Sequence, residues 1–348
     1  MRTGNKLTGK TGNSVNSQTI RNYGGLDICK LIMAIFVVAI HSGPFEGCEN
    51  TVWLGIYNAV VSLAVPFFFI CSGFLLAQKL QYPYSNENSV AIIKGYLVRI
   101  IKMYLIWTAV YFPLAVFDYI RKSFTLFDAV KDYFIGLIFV GEHYNSWMLW
   151  YLLSTIYALL LILILLKLKV SPKVIVAVGT VLILLSFAIG KLSQYDGDLP
   201  LILKAVNRFI PNGRILQGAF YVPIGMLMAQ YKIPKIANFV MLIAGFVCNC
   251  FFDGIIGLTG LILGVVGLFA IVSEIRVKDI SACVYMRKMS TVVYFIHMYV
   301  ITAYSYARYG DNKRGTDVFI VAVIVSLLIS VGYVFIRNKK NSLQAVKN

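Results

Sequence analysis

Two ionisable side chains interrupt an otherwise apolar run near the start of the chain, Lys30 and His41. A charge at the middle of a membrane-spanning helix costs about 2.5 to 3.5 kcal/mol on insertion scales, so such groups mark a functional interior by default. The two lie eleven residues apart, about three helical turns, which puts both on one face roughly 16 Å apart along the axis. A fixed cation and a titratable imidazole therefore share one stripe. The competing reading is a Lys30 that snorkels to the interface and a His41 that sits at the helix end. Further along, Arg99 and Lys102 precede an apolar run, Glu142 and His143 stand beside Trp147, Arg214 opens another run, and His297 follows Tyr294 by one turn.

The elements that must position these groups are membrane helices. Of 348 residues, 59% are hydrophobic and 14% charged, against roughly 45–50% and 25% in soluble domains, and the mean hydropathy is +0.77. The formal charge of +17 would raise nucleic-acid binding in a soluble protein. Here the basic residues fall between long apolar runs and read as topology determinants, which excludes a soluble nucleic-acid-binding domain. A secreted disulfide scaffold and a disordered chain are excluded by the same composition.

With about 20 apolar residues needed per crossing, ten spans are predicted, near 26–43, 53–78, 103–119, 146–167, 173–190, 213–230, 236–252, 254–274, 289–306 and 318–336. The expected fold is an all-α, polytopic bundle of about ten transmembrane helices. Its seventh and eighth spans form an antiparallel hairpin at Asp253 and Gly254. Asp128 to Val140 is too short to span and reads as re-entrant or interfacial. The side carrying both termini holds 21 Lys and Arg against 10 on the other, so both termini are expected in the cytoplasm. Residues 1–24 read as a disordered cytoplasmic tail and 338–348 as a second cytoplasmic tail, flanking a membrane domain over 25–337. No cleavable signal peptide is expected, because a long polar lead precedes the first apolar run. The six cysteines form no metal-ligand framework and read as packing residues, with one disulfide possible at Cys48 and Cys250.

The run from Leu26-Asp27 through Lys30 to His41 resembles the opening of the bacterial membrane acyltransferase-3 family, which has a Leu-Asp pair, a basic residue, ten residues and a histidine. Val65-Pro66-Phe67-Phe68-Phe69-Ile70-Cys71-Ser72-Gly73-Phe74 is similar to that family's Pro-Phe-Phe-x-x-Ser-Gly-Phe signature. Arg99-Ile100-Ile101-Lys102, Trp147-Met148-Leu149-Trp150-Tyr151-Leu152 and Ser290-x-x-x-Tyr294-x-x-His297 match further motifs, so the resemblance spans about residues 23 to 336. Two positions depart from it: Lys30 stands where the family usually has Arg, and Lys102 where it usually has a second Arg. Lysine is a point charge and lacks the planar fork of arginine.

The resemblance implies an acyltransferase of the bacterial cell membrane. It would move an acyl group, usually acetyl from cytoplasmic acetyl-CoA, to a hydroxyl of a cell-envelope glycan or a related small acceptor. Acyl-CoA is then a co-substrate, no cofactor is bound permanently, and no metal is involved. An alcohol must lose a proton to attack a thioester, and His41 suits the role of general base. Lys30 would hold the donor or stabilise an oxyanion. Arg99 and Lys102, with Lys94 nearby, would dock the CoA phosphates, or else are ordinary positive-inside charge. Glu142, His143, Trp147 and Arg214 are candidates for acceptor binding, with a solvated helix cap and a snorkelling arginine as the alternatives. For His297 a structural role is weighed beside a catalytic one. The rival implied class is a transport module, because the membrane halves of vancomycin-resistance serine racemases resemble the same family and are thought to supply L-serine. Polysaccharide export is a third class.

Overall fold

The computed structural model describes residues 23–195 and 200–347. These residues are helical nearly throughout, and among them there is no strand. The expected tail over 1–24 lies almost wholly outside the described residues.

Thirteen α-helices are described. The first, α1, is Gly24–Ser42, ended by Gly43 in the left-handed region at φ 59°. The second predicted span is two helices, α2 (Thr51–Ser62) and α3 (Ala64–Ala77), interrupted at Leu63. The Asn50 side chain caps α2 by accepting from the Trp53 N–H at 2.9 Å. Helix α4 (Glu87–Arg121) is 35 residues long and extends well beyond its apolar run, its start fixed by Asn86, which accepts from the Ser89 N–H. The segment predicted to be re-entrant or interfacial is α5 (Leu126–Ile135) with a π-helical turn at Gly136–Val140, and it turns back at Gly141, φ 80°.

Helices α6 (Trp150–Lys167), α7 (Pro172–Ser193) and a short exposed α8 (Leu201–Phe209) follow. Next come α9 (Gly218–Met228), α10 (Lys235–Phe251), α11 (Gly254–Glu274), α12 (Ile280–Tyr309) and α13 (Thr316–Lys347). The last helix therefore continues beyond its apolar run through the segment read as a tail.

Seven helical segments among the described residues are long and apolar enough to cross a membrane: Gly24–Ser42, Thr51–Ala77, Glu87–Arg121, Trp147–Lys167, Pro172–Ser193, Gly254–Glu274 and Thr316–Lys339. The protein is thus an all-α polytopic membrane bundle. The other three predicted spans are helical too, each with a reason for its difference. Helix α9 has only 11 residues because Pro211–Leu216 is a 3-10 segment in which Asn212 and Gly213 take left-handed φ of 55° and 66°. Helix α10 has 17 residues and pairs with α11 as the expected hairpin. Helix α12 is 30 residues long but carries Ser290, Thr291, His297, Thr302 and Ser305.

The core sits where α3 and α9 cross, against α1, α6 and α12. A Cβ on Gly73 would collide with the Val222 carbonyl, and one on Gly225 with the Ile70 carbonyl. Small residues at such crossings let backbones approach and gain dispersion contacts in lipid, where no hydrophobic effect drives helices together. Buried tyrosines tie helices across the core: Tyr111 donates to the Phe295 carbonyl at 2.7 Å and Tyr294 to that of Met148 at 2.7 Å. All six cysteines are free.

Candidate active site

Lys30 and Arg99 come together. Both line a cavity of about 520 Å³ at the end of the bundle where α1 begins, a size in the range of about 300 to 1,000 Å³ typical of ligand sites. Helix α4 contributes Ile92, Tyr96, Arg99, Ile100 and Met103 to the wall, a spacing that puts them on one helical face. Arg99 lies at the exposed mouth, its guanidinium carbon 5.3 Å from the Tyr96 ring centre. Lys102 is exposed and does not line the cavity. Lys79 and Arg287 line it as well, and no carboxylate does among the described residues. Asp27, buried one turn before Lys30, forms ion pairs of 3.8 Å with Lys30 and 3.7 Å with Arg287.

The cavity ends against aromatic rings. Phe68, Tyr151 and Tyr294 pack edge to face with centroids 5.6 to 6.2 Å apart, and the Tyr151 and Ser72 hydroxyls share a hydrogen bond of 2.8 Å. On the far side of Tyr294, at 6.3 Å between ring centres, lies His297.

His297 stacks on His41, with centroids 5.4 Å apart and ring planes 25° apart. The two histidines are far apart in sequence and meet because α1 and α12 pack along their lengths. His297 is fully buried. Its Nδ1 lies 3.1 Å from the Val293 carbonyl, and only a protonated Nδ1 can donate there, so Nε2 keeps its lone pair. That Nε2 has no hydrogen-bond partner among the described residues. His41 is less buried than its partner, intermediate in exposure over the whole residue. Trp147 covers it at 5.8 Å between centroids, and the Arg314 guanidinium sits 5.1 Å above Trp147. Arg214 and Arg314 are both within electrostatic reach of the His41 ring.

Arg214 donates to Glu142 at 2.8 Å and lies over the Trp150 ring at 5.6 Å. It reaches there because the left-handed turn at Asn212 and Gly213 redirects the chain just before it. The Glu142 side chain is 17% exposed, which excludes the solvated cap. Burial raises its carboxyl above the usual range and Arg214 opposes that rise. His143, its neighbour, points elsewhere: its ring stacks on Tyr133 at 4.1 Å. Burial pushes its imidazole down to about 4.

Of the residues singled out from the sequence, Lys30 and Arg99 thus share the cavity, while His41 and Trp147 form the stacked cluster. Glu142 and Arg214 flank that cluster, and His143 and Lys102 stand apart. Sequence reasoning gave His297 a structural weight and did not select Arg287 or Asp27. The Ser290-x-x-x-Tyr294-x-x-His297 spacing was the available signal for His297, since it aligns that ring with the cavity-lining Ser290 and Tyr294.

A family profile described as an acyltransferase domain matches residues 23–335. The chain belongs to this acyltransferase family. Two amino-acid racemases of Enterococcus faecalis are also similar to it, each at 29% identity. One matches over 215 residues, 61% of this chain and 29% of that protein. The other matches over 147 residues, 39% of this chain and 19% of that protein. The acyltransferase chain thus spans less than a third of the length of these relatives. No solved structure matches it.

Proposed function

We propose that this membrane acyltransferase moves an acyl group, by family resemblance acetyl, from acyl-CoA to a hydroxyl of a cell-envelope glycan or a related acceptor. It would act in the bacterial cytoplasmic membrane with both termini inside. The observation that carries the reading is the cationic cavity around Lys30 and Arg99 with a histidine pair beyond its aromatic end. The phosphates of the donor dock among Lys30, Arg99 and their neighbours, where charge-assisted hydrogen bonds are the strong ones. Lys102 and Lys94 contribute to the field outside the mouth. Because Lys30 and His41 stand roughly 16 Å apart along α1, Lys30 serves the donor's anionic part and does not meet the oxyanion at the histidines. The pantetheine arm bridges that distance along Phe68, Tyr151 and Tyr294.

At the histidines the acceptor oxygen attacks the thioester carbonyl carbon as His41 takes its proton. The carbon–sulfur bond then breaks, and the CoA thiolate leaves and is protonated. His297, held by Val293, fixes the ring of His41 by stacking. Glu142, Arg214 and Trp147 surround the place where the acceptor enters.

The test is a mass-spectrometric comparison of envelope glycans from cells with and without the protein, together with binding of radiolabelled acetyl-CoA to the purified protein. An acyl mass difference and measurable binding are expected. Neither being found overturns the reading. The similarity to amino-acid racemases favours one alternative, a membrane module that delivers an amino acid such as L-serine. Serine uptake into proteoliposomes, without incorporation of acetyl label, would select it.

A further inference from the structure

Arg287 belongs to none of the motifs discussed above, yet its side chain lines the cavity that holds Lys30 and Arg99. It comes from α12, whereas Arg99 comes from α4, so the wall draws its cations from more than one helix. Between Arg287 and Lys30 sits Asp27, whose side chain is 5% exposed. A buried carboxylate needs compensating partners, and both of its partners are cavity-wall cations.

The geometry of these pairs is loose. Distances of 3.8 Å to Lys30 and 3.7 Å to Arg287 exceed the roughly 2.7–2.9 Å of a charge-assisted hydrogen bond. Coulomb attraction thus places the two cations, at distances that leave N–H donors on each of them for a ligand. Four cations, Lys30, Lys79, Arg99 and Arg287, face a space with no carboxylate on its wall among the described residues, which fits a ligand with several phosphate charges. Arginine is the side chain whose planar fork meets a phosphate through two parallel hydrogen bonds.

We infer that Arg287 is a phosphate-binding residue for the donor, and that Asp27 is the positioning residue that holds Lys30 and Arg287 on the cavity wall. This rests on the acyl-CoA reading of the same site. The two residues have opposite electrostatic effects on an anion. Neutralising Arg287 removes an attraction. Neutralising Asp27 leaves the wall more positive, so attraction at a distance is undiminished, while the placement of Lys30 and Arg287 is lost.

The experiment uses the full chain in lipid nanodiscs with radiolabelled acetyl-CoA as the probe, and acyl incorporation in cells as the second readout. Arg287→Gln is expected to weaken acetyl-CoA binding about tenfold or more, in the range of one lost charge-assisted hydrogen bond, with Arg287→Lys in between. Asp27→Asn is expected to weaken acetyl-CoA binding less than Arg287→Gln, because both cations remain though misplaced, and to transfer about tenfold less acyl group in cells, because a misplaced donor no longer presents its thioester to the histidines. Asp27→Glu, which keeps the charge, is expected to recover most of that transfer. If Arg287→Gln binds like wild type, Arg287 has no part in the site. Wild-type transfer by Asp27→Asn, no recovery in Asp27→Glu, or an Asp27→Asn chain that fails to insert overturns the positioning role. If the wild-type chain itself binds no acetyl-CoA, the acyl-CoA reading falls first.

Discussion

The two ends of the first helix offer opposite environments. Around Lys30 four cations line an open cavity, and the nearest carboxylate, Asp27, is shared between two of them. Around His41 the space is filled by rings: His297 is fully buried, Trp147 stacks alongside, and the arginines there are occupied, Arg214 by Glu142 and Arg314 by the Trp147 face. An open cationic cavity is suited to capturing a charged ligand, whereas a cluster of packed rings is suited to moving a proton with less competition from water. On the proposed function, capture is assigned to one end of the helix and transfer to the other, with Phe68, Tyr151 and Tyr294 between them.

If that division holds, substitutions at the two ends should move different quantities. The largest effect belongs to His41→Ala, expected to lower acyl transfer by about 10² to 10⁴, the usual worth of a general base, with acetyl-CoA binding unchanged. Loss of donor binding in that variant would break the separation. His297→Gln comes next, with roughly a tenfold loss of transfer and again no change in donor binding, because the fully buried His297 ring meets the reaction only by stacking on His41. Arg99→Gln inverts the pattern. Acetyl-CoA binding should weaken about tenfold for a lost charged hydrogen bond, while transfer at saturating donor changes little. A fall in transfer that excess acetyl-CoA does not restore would place Arg99 in the wrong half of the comparison.

A pH experiment sharpens the histidine end. The buried His143 ring titrates near 4, down from its ordinary 6.5. Between those values the unfolded chain binds a proton that the folded chain refuses, so stability is fully present above pH 6.5 and is lost as pH falls toward 4. At 1.36 kcal/mol per unit, the loss reaches up to about 2 kcal/mol by pH 5. Thermal unfolding of the purified protein at pH 7 and pH 5 should show this loss in wild type and a flatter dependence in His143→Gln. The same slope in both would mean that the loop carrying Glu142 and His143 is wetter than its burial indicates.

The membrane helices were legible from apolar runs alone, because lipid forces every buried backbone group into a helix. The apolar runs alone hid the break at Leu63, where Pro66 one turn on cannot bond the Ser62 carbonyl, and the shortening of α9, where Pro211-Asn212-Gly213 is a turn sequence. In the site, Lys30 and His41 stood out because charge inside a span is costly. The pairing of His41 with His297 was hidden because it depends on how α1 packs on α12, which no local pattern encodes. Arg287 was hidden for another reason: in a chain of 32 basic residues, a cation at a helix end looks like topology charge until the cavity beside it is seen. Glu142 was misleading in the opposite sense, since an acidic residue before a span suggests solvent and Arg214 instead buries it.

Lys102 gives the smallest effect and the most local check of the comparison. It lies three residues after Arg99 on α4, and at 100° per residue it is rotated off the stripe formed by Tyr96, Arg99, Ile100 and Met103. Its side chain is exposed and reaches the donor only through a screened field, whose range is about 8 to 10 Å at physiological salt. Lys102→Ala should therefore weaken acetyl-CoA binding less than about twofold, in line with the small worth of exposed charges, and that residual effect should vanish at high salt. Arg99→Gln should keep most of its loss under the same conditions. Equal losses for the two residues would mean that the phosphates sit on the open surface of α4, and that the cavity wall is not what holds them.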